Sequence, residues 1–281
     1  MDQQQLEIRE QQKASWDKFS PGWKKWDDFT MNFLKPMGDE IISMLDIKPS
    51  DNVLDIATGT GEPGLTIASM VNNGKVTGTD LSPEMIKLAA ENAKAKGLTN
   101  YTAVVADVCE LPFADNTFDA ISCRMGFMFF PDMLLAAKEM HRVLKPGGRM
   151  ATSVWDGPEK NPWITAMMGT MKKYIEMPAP PPGAPGMFRC AAPGFISGLL
   201  KEPGFKNSKE SKIESRVKYD NVQHYWTMMN EVAAPVVAAM SQADNDTKNR
   251  IKDDLVGLLN EKAEDGVISL PFSSIIIYGE K

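Results

Sequence analysis

The stretch LDIATGTGEPG, residues 54–64, places Gly59, Gly61 and Gly64 in the spacing G-x-G-x-x-G. An apolar run, NVLDIA (52–57), precedes it and a segment with helical spacing (63–72) follows, so it reads as strand, tight turn and helix. A ligand lying against such a turn needs residues without Cβ where the backbone comes close. Nicotinamide and flavin dinucleotides use the same spacing, so the triplet alone leaves the ligand open.

Working outward, the pattern alternates. KVTGTD (75–80), YTAVVAD (101–107), FDAISCR (118–124) and RMATSVW (149–155) are strand candidates, with helical spacing at 82–96 and 131–144. Pro146 and Gly147-Gly148 read as the stop of the last helix. Right-handed crossovers then build a parallel sheet covered on both faces, an α/β Rossmann-like core over 50–155. Beyond it the reading gives a short helix at 161–177, a surface loop at MPAPPPGAPG (177–186), and helix then turn at 195–205. Strands follow at 209–219 and 273–280, with a helical insertion at 221–265. The chain thus divides into an aromatic, helical N-terminal segment (1–49), the core (50–155), an insertion (156–192) and the C-terminal part of the sheet (193–281). Loops at the carboxyl ends of strands in such a fold sit over the ligand crevice, so the non-sheet segments are expected to form a cap.

Composition narrows the classes. With 281 residues, 43% hydrophobic and 24% charged, the chain can bury a full core. A net charge of −6 argues against a nucleic-acid partner. Cys109, Cys123 and Cys190 lack C-x-x-C spacing, which fits a reducing compartment and no structural metal. The N-terminus has no apolar signal region and no long apolar run occurs, so a cytoplasmic protein without a membrane-spanning segment is expected.

Three acids sharpen the ligand. Asp55, four residues before Gly59, would face a pyrophosphate badly and suits an ammonium group such as that of S-adenosylmethionine. Asp80 ends the second strand candidate, where a carboxylate accepts both ribose hydroxyls of either cofactor class. Asp107 ends the third, placed to accept from an adenine amino group, with Val108 against the ring.

VLDIATGTGEPG, VTGTDLSPEMIKLAAENA, ADVCELPFADNTFDAISCRMGFMFFPD and HRVLKPGGRM follow one another in the order and spacing of the class I S-adenosylmethionine-dependent methyltransferases. The chain most resembles their ubiquinone/menaquinone C-methyltransferase-like branch, firmly over about 50–155. That resemblance implies a seven-stranded, mostly parallel sheet with an antiparallel last strand. It also implies that Asp55, Ala57, Thr58, Gly59 and Gly61 line the methionine end and Asp80 the ribose. Leu81, Met85, Asp107 and Val108 would hold the adenine, and Arg124 and Met125 would close the floor. Ala57 stands where many members have glycine, which is tolerable if its φ stays negative. S-adenosyl-L-homocysteine would be the product.

In the same resemblance the N-terminal segment folds over the cofactor, so Trp16, Phe19, Trp23 and Trp26 are expected in an acceptor pocket, with helix packing as the competing reading. Met128 and His224 join this pocket set. The methionines read mainly as core filler and secondarily as a flexible apolar wall. Displacement at a sulfonium needs alignment more than covalent help. If the acceptor must lose a proton, His224 is the candidate base, with Tyr225 behind it and a structural role for the histidine the plainer reading. Three classes stay open: a methyltransferase acting on a small, mostly apolar or aromatic molecule, an NAD(P)-dependent oxidoreductase using the same glycines, and a catalytically silent S-adenosylmethionine-binding module.

Overall fold

In the computed structural model, which describes residues 1–177, 181, 183–261 and 263–281, two helices open the chain, α1 (Gln3–Lys25) and α2 (Asp27–Leu45). Then come β1 (Asn52–Ile56), α3 (Gly64–Met70), β2 (Lys75–Asp80), α4 (Pro83–Ala95) and β3 (Tyr101–Val105). The core continues with β4 (Phe118–Arg124), α5 (Met133–Val143) and β5 (Leu144–Trp155). The remainder holds α6 (Pro162–Met171), α7 (Phe195–Lys201) and β6 (Lys206–Tyr219), then α8 (Val222–Val232), α9 (Ala234–Met240) and α10 (Asn245–Asn260). The two-residue β7 (Ala263–Glu264) and the long β8 (Val267–Glu280) complete it.

Among the described residues the strands form one sheet in the order β3-β2-β1-β4-β5-β8-β6, with β7 paired to β8. The first five run parallel, whereas β8 is antiparallel to both β5 and β6. Chain direction therefore reverses only at β8, which lies between β5 and β6, and the seven-stranded expectation holds with one short extra strand. The order turns back between β1 and β4, and the carboxyl ends on either side of that point open a crevice.

Local chemistry sets the helix starts. Ser82 caps α4 by accepting from the Met85 N–H, with Pro83 fixing the first turn. Asp132 accepts from Leu135 at the start of α5, and Asp2 and Gln5 form a reciprocal capping box on α1.

Several boundaries differ from the sequence reading. The helix expected over 131–144 stops at Val143, because Leu144 is already extended and Pro146 disfavours helical geometry at the residue before it. Leu144 then begins β5, so Gly147 and Gly148 lie inside a strand. The helix expected over 161–177 ends at Met171. β8 begins at Val267 and runs through Pro271, where 273 was expected. The 221–265 insertion is three helices, interrupted at Ala233 and at 241–244. Of the proline-rich loop expected at 177–186, residues 178–180 and 182 lie outside the described residues. No helix of the described chain is long and apolar enough to cross a membrane.

The cap helices are placed by side-chain contacts. α1 packs against α4 and α8, and α10 against α6 and α8. Where α1 crosses α8, a Cβ on Gly22 would lie 2.0 Å from the Glu231 carbonyl oxygen, so only glycine permits the approach. The Trp26 indole N–H donates to the Glu231 carboxylate at 2.6 Å, and Lys25 reaches the same carboxylate.

Candidate functional site

One cavity lies across the carboxyl ends of the five parallel strands, touching Ile56, Asp80, Asp107, Arg124 and Trp155 at or just beyond those ends. Its polar part follows β1 to β3. Ala57 has φ +53°, Gly59 +56° and Gly61 +119°, so the chain turns through three residues of positive φ. The negative φ expected of Ala57 is therefore wrong: the turn needs the glycine-like conformation and alanine bears it, at a cost of roughly 1–2 kcal/mol. The Gly59 N–H donates to one Asp80 oxygen at 3.0 Å and the Ser82 N–H to the other at 2.9 Å. Burial pushes the Asp80 carboxyl up to about 6, against the pull of those N–H donors.

Asp107 accepts from the Cys109 N–H through one oxygen, while its second oxygen has no hydrogen-bond partner and faces Arg9 of α1 at 3.6 Å. Leu81, Met85 and Val108 flank these acids, and Thr58, Met125 and Arg124 complete the part next to the β1 turn. Ten of the twelve residues expected around a cofactor thus share one wall.

Asp55 and Gly61 do not. Asp55 is fully buried beneath the turn, accepting from Ser122 at 2.6 Å, from Thr58 and from the Gly64 N–H at 3.1 Å. With its lone pairs so engaged it holds the turn onto β4 and α3 rather than facing a ligand, and burial raises its carboxyl to about 6. Gly61 packs on Leu65, whose Cδ1 would lie 2.6 Å from a Cβ at that position.

The remainder of the cavity is apolar. Trp16 of α1 packs on Phe129 with Trp23 edge-on beside it, and Phe33 of α2 packs on Trp155 and Trp163 with ring centroids 5.8 and 5.0 Å away. Met187, Met228 and Val232 close the far side. Phe19, Trp26, Met128 and His224, expected in this pocket, lie off its wall. Phe19 packs edge-on against Trp16, Trp26 turns to Glu231, and Met128 is fully buried in the core. His224 stacks on Trp26 at 5.2 Å and bonds Asp220, so it is a packing residue of α8. Tyr225 is buried with its hydroxyl on the Trp163 carbonyl.

Phe33, Trp155, Trp163 and Gln12 were not anticipated. Trp155 was findable, since it ends a strand on the ligand side of the sheet. All three cysteines are free and buried, with burial pushing the Cys123 thiol up to about 12. No cluster of metal-ligating side chains occurs among the described residues.

Residues 53–148 match the methyltransferase domain family. Over 112 residues the chain is 38% identical to a demethylmenaquinone methyltransferase of Bacillus cytotoxicus, covering 40% of this chain and 47% of that one. A demethylmenaquinone methyltransferase of Thermus thermophilus is 34% identical over 158 residues, covering 54% and 61%. The chain therefore spans about half the length of the curated relatives it matches. A putative methyltransferase from Bacillus halodurans has the same fold, with TM-score 0.60 at 19% identity over 87% of this chain and 98% of that one. These findings bear out the class I methyltransferase resemblance and its fold, the family match itself extending over residues 53–148.

Proposed function

We propose that this protein is an S-adenosyl-L-methionine-dependent methyltransferase that passes a methyl group by in-line displacement to a small, mostly apolar or aromatic molecule. The observation that carries this reading is that a polar trough and an aromatic chamber are parts of one cavity. In the trough Asp80 would take the ribose hydroxyls, and Asp107 and Val108 the adenine. The turn at 57–59 would face the methionine portion, whose ammonium group Asp55 no longer serves. The apolar chamber of Trp16, Trp23, Phe33, Trp155 and Trp163 would align a flat acceptor against the sulfonium, and such alignment supplies much of the rate of a displacement. An acceptor like the demethylmenaquinone of the named relatives suits these walls. No histidine, tyrosine, cysteine or lysine lies on the described wall, and its carboxylates Glu62, Asp80 and Asp107 are each engaged by protein donors, so the acceptor's nucleophile would arrive unprotonated or be a group that needs no base. The free cysteines fit a cytoplasmic setting.

A thermal-shift titration tests the cofactor class. S-adenosylmethionine or S-adenosylhomocysteine should raise the melting temperature while NAD and NADP leave it unchanged, and a shift with NAD alone would return the dinucleotide reading.

A further inference from the structure

The four charged residues on the described cavity wall are Glu62, Asp80, Asp107 and Arg124. Three are anions with partners inside the protein. Backbone N–H groups hold both oxygens of Asp80, Cys109 holds one oxygen of Asp107, and Thr66 and Lys96 hold Glu62. The one cation is differently placed. Arg124 is the last residue of β4, beside the β1 turn and under α2. A guanidinium carries five N–H donors, yet among the described residues its one hydrogen bond runs from Nη2 to the Met31 sulfur at 3.2 Å, a weak acceptor. Among the described residues no carboxylate lies within ion-pair distance of it. Asp55, Glu62 and Asp27 act on it only from further away, and burial lowers its proton affinity.

A charge held inside a protein without a partner is costly, and replacing it by an apolar side chain of similar length commonly stabilises the fold. A fold that needed only packing at the end of β4 would be served better by methionine. What the guanidinium offers is its geometry: a planar fork matched to two oxygens, facing a cavity that otherwise presents anions and apolar rings.

Resting on the methyltransferase reading above, we propose that Arg124 is the anion-binding residue of this cavity, its guanidinium taking a carboxylate or other ionised oxygen of a bound small molecule. Two sources present that chemistry at this position. One is the α-carboxylate of the cofactor, beside the β1 turn. The other is an ionised oxygen on the acceptor in the aromatic chamber, which would make the acceptor a weakly acidic aromatic rather than a plain hydrocarbon. Because the wall offers no second cation, one anionic group is served.

Calorimetry with Arg124→Met and Arg124→Lys separates these sources. S-adenosylhomocysteine is compared with 5′-methylthioadenosine, which keeps the adenosine thioether and lacks the amino-acid carboxylate, and 2-naphthoate with the neutral 2-naphthamide. Arg124→Met is expected to fold, with a melting temperature at or above that of the parent. It should bind one carboxylate probe about 10- to 100-fold more weakly while the neutral counterpart changes little, with partial recovery in Arg124→Lys. Loss confined to S-adenosylhomocysteine assigns the cofactor's carboxylate, and loss confined to 2-naphthoate assigns the acceptor. Unchanged affinity for both carboxylates overturns the proposal, as does an equal loss for charged and neutral members of a pair. Failure of the parent protein to bind either adenosine probe would count instead against the methyltransferase reading, leaving the naphthoate pair to decide on Arg124.

Discussion

Asp80 accepts from two backbone N–H groups and also lines the cavity. If it also holds a ribose, Asp80→Ala removes a charge-assisted bidentate contact. The expected cost is roughly 2–3 kcal/mol, about two decades of S-adenosylhomocysteine affinity by calorimetry. The same residue sets a pH dependence. Its carboxyl titrates near 6 in the free site, above the ordinary aspartate value, and hydroxyl donors favour the ionised form. Binding thus releases a proton below that value, so affinity should rise with pH up to about 6 and then level off. In Asp80→Asn that rise should flatten, and an unchanged profile would place the titration elsewhere. Asp80 and Asp107 were legible because a strand's end is visible in sequence. Asp55 was misread for a physical reason: Val53, Leu54, Asp55 and Ile56 are all buried, so no in-out alternation tells which way the carboxylate points. Its hydroxyl partner Ser122 sits 67 residues away, beyond any local pattern.

At the scale of elements, α1 reaches both the polar and the apolar part of the cavity. Arg9 faces Asp107, Asp17 accepts from the Ser82 hydroxyl at the start of α4, and Trp16 packs on Phe129. The helix is held down where Gly22 meets the Glu231 carbonyl. Gly22→Ala should lever α1 from α8 at a cost of about 1–3 kcal/mol, read as a lower denaturant midpoint. A variant with unchanged stability and unchanged exchange in α1 would show that the helices part without cost. The sequence made the core elements plain and blurred their ends. The start of β8 was missed because Pro271 interrupts the strand pattern, yet the residue fits there opposite Arg216 in the long β6–β8 ribbon. α2 escaped notice as a cavity wall because the tryptophans ahead of it drew the reading, although Phe33, Leu34, Met37 and Ile41 have the spacing of a buried helical face.

For the whole molecule, the parallel half of the sheet was readable from alternation alone, while the antiparallel last strand came only from family resemblance and its place between β5 and β6 was not read at all. Long-range pairing leaves no local mark. The chamber is roofed by α1 from one end of the chain and by α8 and α9 from the other, over a floor made by the strands between. Ligand binding should therefore be felt by both roofs together. Hydrogen exchange with saturating S-adenosylhomocysteine is expected to slow in α1 and α8 in parallel, with stabilisation of about 2.7 kcal/mol at a hundredfold excess over Kd. Protection confined to the β1–β3 loops would show that the roofs do not respond.

The bond between Trp26 and Glu231 spans 205 residues of sequence. On a ribosome adding about 5–20 residues per second, α1 emerges roughly 10–40 s before its partner α8 exists. For that interval the side of α1 that α8 covers, with Gly22 and the neighbouring Trp26, has no native partner, although α4 is already made. The young chain thus carries an uncovered aromatic edge at Trp26 long before it can bury it, the kind of exposure that holding chaperones are built to cover.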